Sequence, residues 1–323
     1  MAVATATAPP AADWRACTDV EPAWGSIMAV TDGQATLELV GAARATLGEG
    51  PVWDETRGVL WWVDISAGQV RRFEPGTGDD RAIDVGSLVG AVALRREGTL
   101  VVALAASLAV LNPDSGSLAT LLPLHADRGR LRCNDGKCDP AGRLWVGRIA
   151  LDAAPGAGSL LRIDPDLAIS THLTGLTIPN GLGWSPDGRR MYFVDSTWRE
   201  VREYPYDPAS GSMGKGGILA RFPDDGSVPD GLTVDEEGHL WVSRWGGSCV
   251  DRVAPGGAVV ERLELPVRWV TSCTFGGADL RDLYITTARG DATTADLRRE
   301  PIAGRLFRCR PGVRGMLPAR FAG

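Results

Sequence analysis

One phrase recurs along this chain: a turn holding Asp and Gly, then a short apolar or aromatic run. It reads DETRGVLWWVDI at 54–65, REGTLVVAL at 96–104 and DPAGRLWVGRI at 139–149. It returns as SPDGRRMYFVDS at 185–196 and DEEGHLWVSRW at 235–245. A sixth copy, GADLRDLYITTAR at 277–289, replaces the marker glycine with a longer turn near Leu280. The marker glycines Gly58, Gly98, Gly142, Gly188 and Gly238 are spaced 40, 44, 46 and 50 residues apart. A proline turn keeps the same beat: EPGTG at 74–78, NPDSG at 112–116, DPD at 164–166, DPASG at 207–211, APGG at 254–257 and RPG at 310–312. Proline presets a turn and cannot continue a central strand. Between the markers lie short runs of Val, Ile, Leu, Tyr and Trp, which is strand composition.

A period of this length, with about four strands per unit, predicts a β-propeller. Six copies predict six four-stranded blades around a central channel, an all-β fold. Residues 35–323 form that domain, and Thr36–Val40 is expected to complete the last blade. A β-sandwich is the competing architecture, but two markers repeating in step favour the ring. Residues 1–34, rich in Ala, Thr and Pro, read as a poorly ordered extension. Met28 is an alternative start.

With 34 basic and 40 acidic residues the net charge is −6, which disfavours non-specific nucleic-acid binding. No apolar run is long enough to span a membrane, and the N-terminus lacks the pattern of a signal peptide. A cytoplasmic monomer is the expectation. The six cysteines have no framework spacing, and the three histidines have no nearby partner. A His-rich zinc site or a Ser-His-Asp triad therefore has little support.

The innermost strand of each blade lines the channel, so a polar residue repeated in one register forms a ring. Counting back from the marker glycines gives Asn134, Asn180 and Asp230 at eight residues and Glu49 at nine. Gly90 holds that place in the second blade and Ser272 falls near it in the sixth. Two carboxylates and two carboxamides make an oxygen site for a hard divalent cation. Calcium, magnesium or manganese fits best, with zinc and ferrous iron as alternatives. The competing view is that these side chains cap strand ends.

The phrases LGEGPVWD, RCNDGKCDPAGRLWVGR, IPNGLGWSPDG, VPDGLTVDEEGHLWV and VTSCTFGGADLRDLYITTAR together resemble the SMP-30/gluconolactonase/LRE family of regucalcin-like sugar lactonases. The resemblance covers about residues 37–323. It implies a six-bladed propeller in which Glu49, Asn180 and Asp230 bind one divalent metal. It further implies that Arg132 and Asn134 bind substrate. Asp152 aligns where regucalcin-like members carry glutamate, a residue that helps bind sugar hydroxyls. The loop at 152–158 would overhang the channel as a lid.

Such a site suits the metal-dependent opening of an aldono-1,4- or 1,5-lactone to its aldonic acid. Asp230 would be both ligand and general base. Promiscuous ester or phosphotriester hydrolysis is one alternative, and a non-catalytic calcium-binding propeller is another. Arg132 could instead pair with Asp127. Asp135 reads as a turn residue and Lys137 as a structural or solvated charge. Trp53, Trp61, Trp62, Trp145, Trp184 and Trp241 read as core, and Trp245 as a candidate sugar contact.

Overall fold

Trp61 and Trp62 are sequence neighbours that pack into different hydrophobic clusters. Successive strand residues point to opposite faces, and here both faces are buried. The strand Val59–Asp64 that carries them is buried along its whole length. That is why its sequence, VLWWVD, shows no alternation of apolar and polar residues.

The computed structural model describes residues 30–31, 35–124, 130–290 and 292–323. Residues 1–29 and 32–34 of the expected extension, Met28 among them, lie outside the described residues, as does Asp127. No helix among the described residues is long and apolar enough to cross a membrane.

Six antiparallel sheets stand around a channel. Numbered from Gly48, the innermost strands of blades 1 to 6 are Gly48–Asp54, Val89–Leu94, Leu131–Cys138, Pro179–Trp184, Val228–Val234 and Val270–Gly276. Each contacts the next, and the sixth contacts the first, so the ring is closed. Blade 6 takes its outer strand from the other end of the domain. Glu38–Val40 pairs with Leu306–Cys309, in the register Leu306↔Val40 to Arg308↔Glu38. Thr36, expected in that strand, pairs instead with Val30.

Among the described residues, each junction between neighbouring blades holds one apolar cluster. The six tryptophans expected in the core are all at most 5% exposed. Five buried cysteines are free thiols.

The repeated phrase has a local cause. Asp54, Asp139 and Asp235 follow or end an innermost strand. Each accepts a hydrogen bond from an indole Nε1 in the next strand, from Trp61, Trp145 and Trp241 respectively. Their other oxygens accept backbone N–H groups of the turn. The marker glycines all have positive φ, between 66° and 86°, a conformation that glycine adopts without strain. Leu280 takes the same conformation in blade 6, at φ 57°.

Both repeated markers therefore sit on one face of the disc. On the opposite face, the links between second and third strands vary. Blade 3 carries the link 151–157, and blade 6 carries 288–305 with the short helix Thr294–Arg299. The face with the variable links is the mouth of the channel.

The C-terminal segment closes the other face. Gly315 bridges to Asp235 in blade 5, and Phe321 bridges to Arg95 in blade 2. Arg320 reaches Asp54 in blade 1. Phe321 itself is fully buried. Between this strap and the ring of polar residues lies a cavity of about 390 Å³.

Candidate functional site

Glu49, Asn134, Asn180 and Asp230 each lie near the mouth end of an innermost strand, and each is at most 6% exposed. All four strands change register at the polar residue: just after Glu49, between Glu49 and Val52, and across Asn134, Asn180 and Asp230, between Cys133 and Gly136, Pro179 and Leu182, and Pro229 and Leu232. A bulge re-aims the side chain and interrupts pairing. Gly90 breaks the ring for a steric reason. A Cβ there would collide with the Cys133 carbonyl oxygen of blade 3.

The two asparagines differ in what they leave free. Asn134 is satisfied at both ends: Nδ2 donates to the Pro179 carbonyl at 2.9 Å, and Oδ1 accepts from Arg132 Nη1 at 2.8 Å. Asn180 donates Nδ2 to Ser196 Oγ at 3.1 Å, and its Oδ1 is buried without a hydrogen-bond partner. Asp230 Oδ1 is likewise buried and unpartnered. Glu49 is held by its own neighbour, with Oε2 accepting from the Gly50 N–H at 2.9 Å. An unpaired buried oxygen costs free energy, so two in one ring call for an electrophile. A hard cation with oxygen ligands fits Glu49, Asn180 and Asp230 on these grounds.

Electrostatics join the same residues. Burial, then the charge of Asp135, pushes the Glu49 carboxyl up to about 8. Burial, then Glu49 and Asp135, raises Asp230 well above the ordinary carboxylate range. Both shifts measure how strongly the ring resists holding bare negative charge.

Arg132 lies beside this cluster. Its Nη1 also donates to the Cys133 carbonyl at 2.9 Å. Burial lowers its pKa, and the Glu49 charge opposes that shift.

Asp135 is not the turn residue expected of NDGK, and Lys137 takes the structural rather than the solvated of its two expected places. Both lie within the strand Leu131–Cys138. Asp135 Oδ1 takes the Gly136 N–H at 2.7 Å, while its buried Oδ2 has no partner. Lys137 Nζ donates to the Leu232 carbonyl at 2.8 Å. Their signal was the same register that picked out Asn134, read one and three residues further on. Ser196, which orients Asn180, carried no comparable signal.

Ser272 is buried against the ring, and a Cβ at Gly231 would collide with its hydroxyl. Asp152 stays outside the ring. It is exposed on the 151–157 link, where Oδ1 accepts the Ala154 N–H at 3.1 Å. Strand pairing places it at the Arg132 end of blade 3, since Leu131 pairs with Ala150. Trp245 is also on the mouth side, opposite Val228, and packs on Trp269 with ring centroids 6.0 Å apart.

A second acidic cluster, Asp235, Glu237 and His239, lies on the strap face. Its carboxylates are already committed. Arg252 donates to both Asp235 and Glu237, and Asp235 also holds Trp241 Nε1. A guanidinium occupies the place a cation would need.

The model of the SMP-30/gluconolactonase/LRE-like region matches residues 47–289, a span that includes every ring position. The chain belongs to the SMP-30/gluconolactonase/LRE-like family. Regucalcin of Gallus gallus is 36% identical over 294 residues, covering 89% of this chain and 98% of its own. A pentonolactonase of Haloferax volcanii is 37% identical over 279 residues, covering 84% and 94%. Among solved structures, the calcium-binding protein regucalcin of Agrobacterium tumefaciens matches with a TM-score of 0.85 at 28% identity, over 88% and 96% of the two chains. This SMP-30/gluconolactonase/LRE-like chain thus matches nearly the full length of each of these relatives, and shares its fold with the Agrobacterium tumefaciens structure.

Proposed function

We propose that this protein is a divalent-metal-dependent hydrolase that opens a sugar lactone to its aldonic acid. The observation that carries the proposal is the pair of orphaned buried oxygens, Asn180 Oδ1 and Asp230 Oδ1, set beside Glu49 and next to Arg132. A relative named for pentonolactone hydrolysis supports the substrate class.

Glu49, Asn180 and Asp230 would hold the cation. When bound, it supplies Lewis acidity toward a carbonyl oxygen and makes water more acidic. Asp230 would take the proton from the attacking water, using an oxygen that no other group occupies. Arg132 would donate to ring or hydroxyl oxygens of the lactone and later face the carboxylate product. Asn134 would hold Arg132 in place through its Oδ1. Asp152, exposed on the 151–157 link of blade 3, would meet outlying hydroxyls of the sugar.

The test is acid release from freshly dissolved aldonolactones, followed with a pH indicator. Chelator-stripped protein is measured alone, then with calcium, magnesium, manganese, zinc or ferrous iron. Enzyme-free and Asp230→Ala samples correct for spontaneous opening. Metal-dependent and Asp230-dependent acid release is the expected result. Metal binding without acceleration of any lactone would favour the non-catalytic calcium-binding reading.

A further inference from the structure

Lys137 crosses the channel. It stands on the innermost strand of blade 3, and its Nζ reaches the Leu232 carbonyl on the innermost strand of blade 5. Leu232 is two residues beyond Asp230, and Lys137 is two beyond Asp135. Lys137 and Asp135 both line the cavity between the ring and the C-terminal strap. The ammonium therefore lies behind the ring, on the side away from the mouth.

Its surroundings are acidic. Asp135 Oδ2 is buried without a hydrogen-bond partner. Lys137 is the charge that most favours ionised Asp135, and it also acts on Glu49. Three carboxylates, Glu49, Asp135 and Asp230, face two fixed cations, Arg132 and Lys137. With every group ionised, that formal count is one negative charge. A divalent cation turns it into one positive charge. Without Lys137 the loaded site would be neutral.

A charge taken out of water is costly unless its neighbours repay the loss. A hydrophobic or amide side chain could cross the same gap at lower cost. What an ammonium adds at this place is charge.

We propose that Lys137 is a positioning residue whose charge sets the electrostatic balance of the cation ring, loosening the cation and leaving the loaded site attractive to an anion. The inference rests on the metal-dependent reading above. The anion is the hydroxide that attacks the lactone or the carboxylate that leaves. Asp135 is the matching counter-charge.

The test is calorimetric titration of calcium or manganese into chelator-stripped protein, with folding checked by circular dichroism. Lys137→Met removes a positive charge next to the ring, so the cation binds about tenfold tighter or more. Asp135→Asn acts in the opposite direction by a similar factor. The double variant returns toward wild type, and Lys137→Arg behaves as wild type. The loaded Lys137→Met protein also binds gluconate more weakly. A merely structural lysine could not tighten cation binding when removed.

Folded Lys137→Met that binds the cation no tighter than wild type overturns the proposal, provided Asp230→Asn still abolishes binding. If wild type binds no cation, or Asp230→Asn binds as well as wild type, the metal-dependent reading falls as well. Should Lys137→Met fail to fold, Lys137→Gln makes the same measurement with the same two outcomes.

Discussion

Asn180 Nδ2 donates to Ser196 Oγ at 3.1 Å, which fixes the amide and leaves Asn180 Oδ1 buried with no hydrogen-bond partner. The bond links the innermost strand of blade 4 to the turn after its second strand. Ser196→Ala removes the group that fixes which way the amide faces. One neutral hydrogen bond contributes about 0.5–1.5 kcal/mol. Cation affinity is therefore expected to fall by up to about tenfold, read by calorimetry, while the melting temperature changes little.

Asp230→Ala and Asn180→Ala remove oxygens that the fold leaves unpaired. The folded state loses no internal hydrogen bond from Asp230 Oδ1 or Asn180 Oδ1. Cation binding and lactone opening are both expected to drop, the latter by roughly 10²–10⁴-fold for Asp230. Circular dichroism should report an intact propeller. Unfolding of both variants would make the ring structural.

Arg132→Ala addresses substrate alone. Hydrogen bonds to a charged group contribute roughly 1.5–3 kcal/mol, so kcat/KM should fall about ten- to a hundredfold. Cation affinity should be retained or rise, because a positive charge beside Glu49 has gone. Loss of the cation in this variant would reverse the assigned roles of Arg132 and Asn180.

The ring predicts an unusual pH dependence for the metal-free protein. The Glu49 carboxyl is raised from 4.5 to about 8 by burial and Asp135, so the fold favours its protonated form. That contribution to stability is complete below pH 4.5 and is lost as pH rises through about 8. Asp230 acts in the same direction. Thermal melts of chelator-treated protein should show the melting temperature falling across this window, with a shallower fall in Glu49→Gln. Added calcium should raise stability most at the alkaline end and release protons on binding.

Phe321 is a test of the strap. It is fully buried against blades 2 and 3, and its N–H donates to the Leu94 carbonyl at 2.7 Å. Phe321→Ala is expected to cost about 3–5 kcal/mol, measured by urea unfolding. The ring residues lie on the other side of the cavity, so cation affinity should persist in the folded fraction.

The propeller was legible because its period comes from local chemistry. Asp139 caps its turn and holds Trp145, and Asp235 does the same for Trp241. Such contacts span six or seven residues, so the sequence alone displays them in blades 1, 3 and 5. The ring positions Glu49, Asn180 and Asp230 were legible for the same reason, since a nearly constant offset from the marker glycine, nine residues for Glu49 and eight for the other two, places each on an innermost strand.

What lay beyond reach is what depends on other blades. Asn134 and Asn180 occupy the same register, yet Arg132 and Pro179 occupy both ends of one amide while Ser196 leaves the other's oxygen free. Gly90 is blank in the ring because Cys133 of the next blade fills its space. Lys137 reads as either a structural or a solvated charge until blade 5 presents Leu232 to it. The C-terminal strap has no repeat to announce it, and only closure of the ring gives Phe321 a place to bury. Local hydrogen bonding repeats with the sequence and determines the blades. The partners of a channel side chain come from strands far away in the chain, so only the closed ring decides which atoms remain free for chemistry.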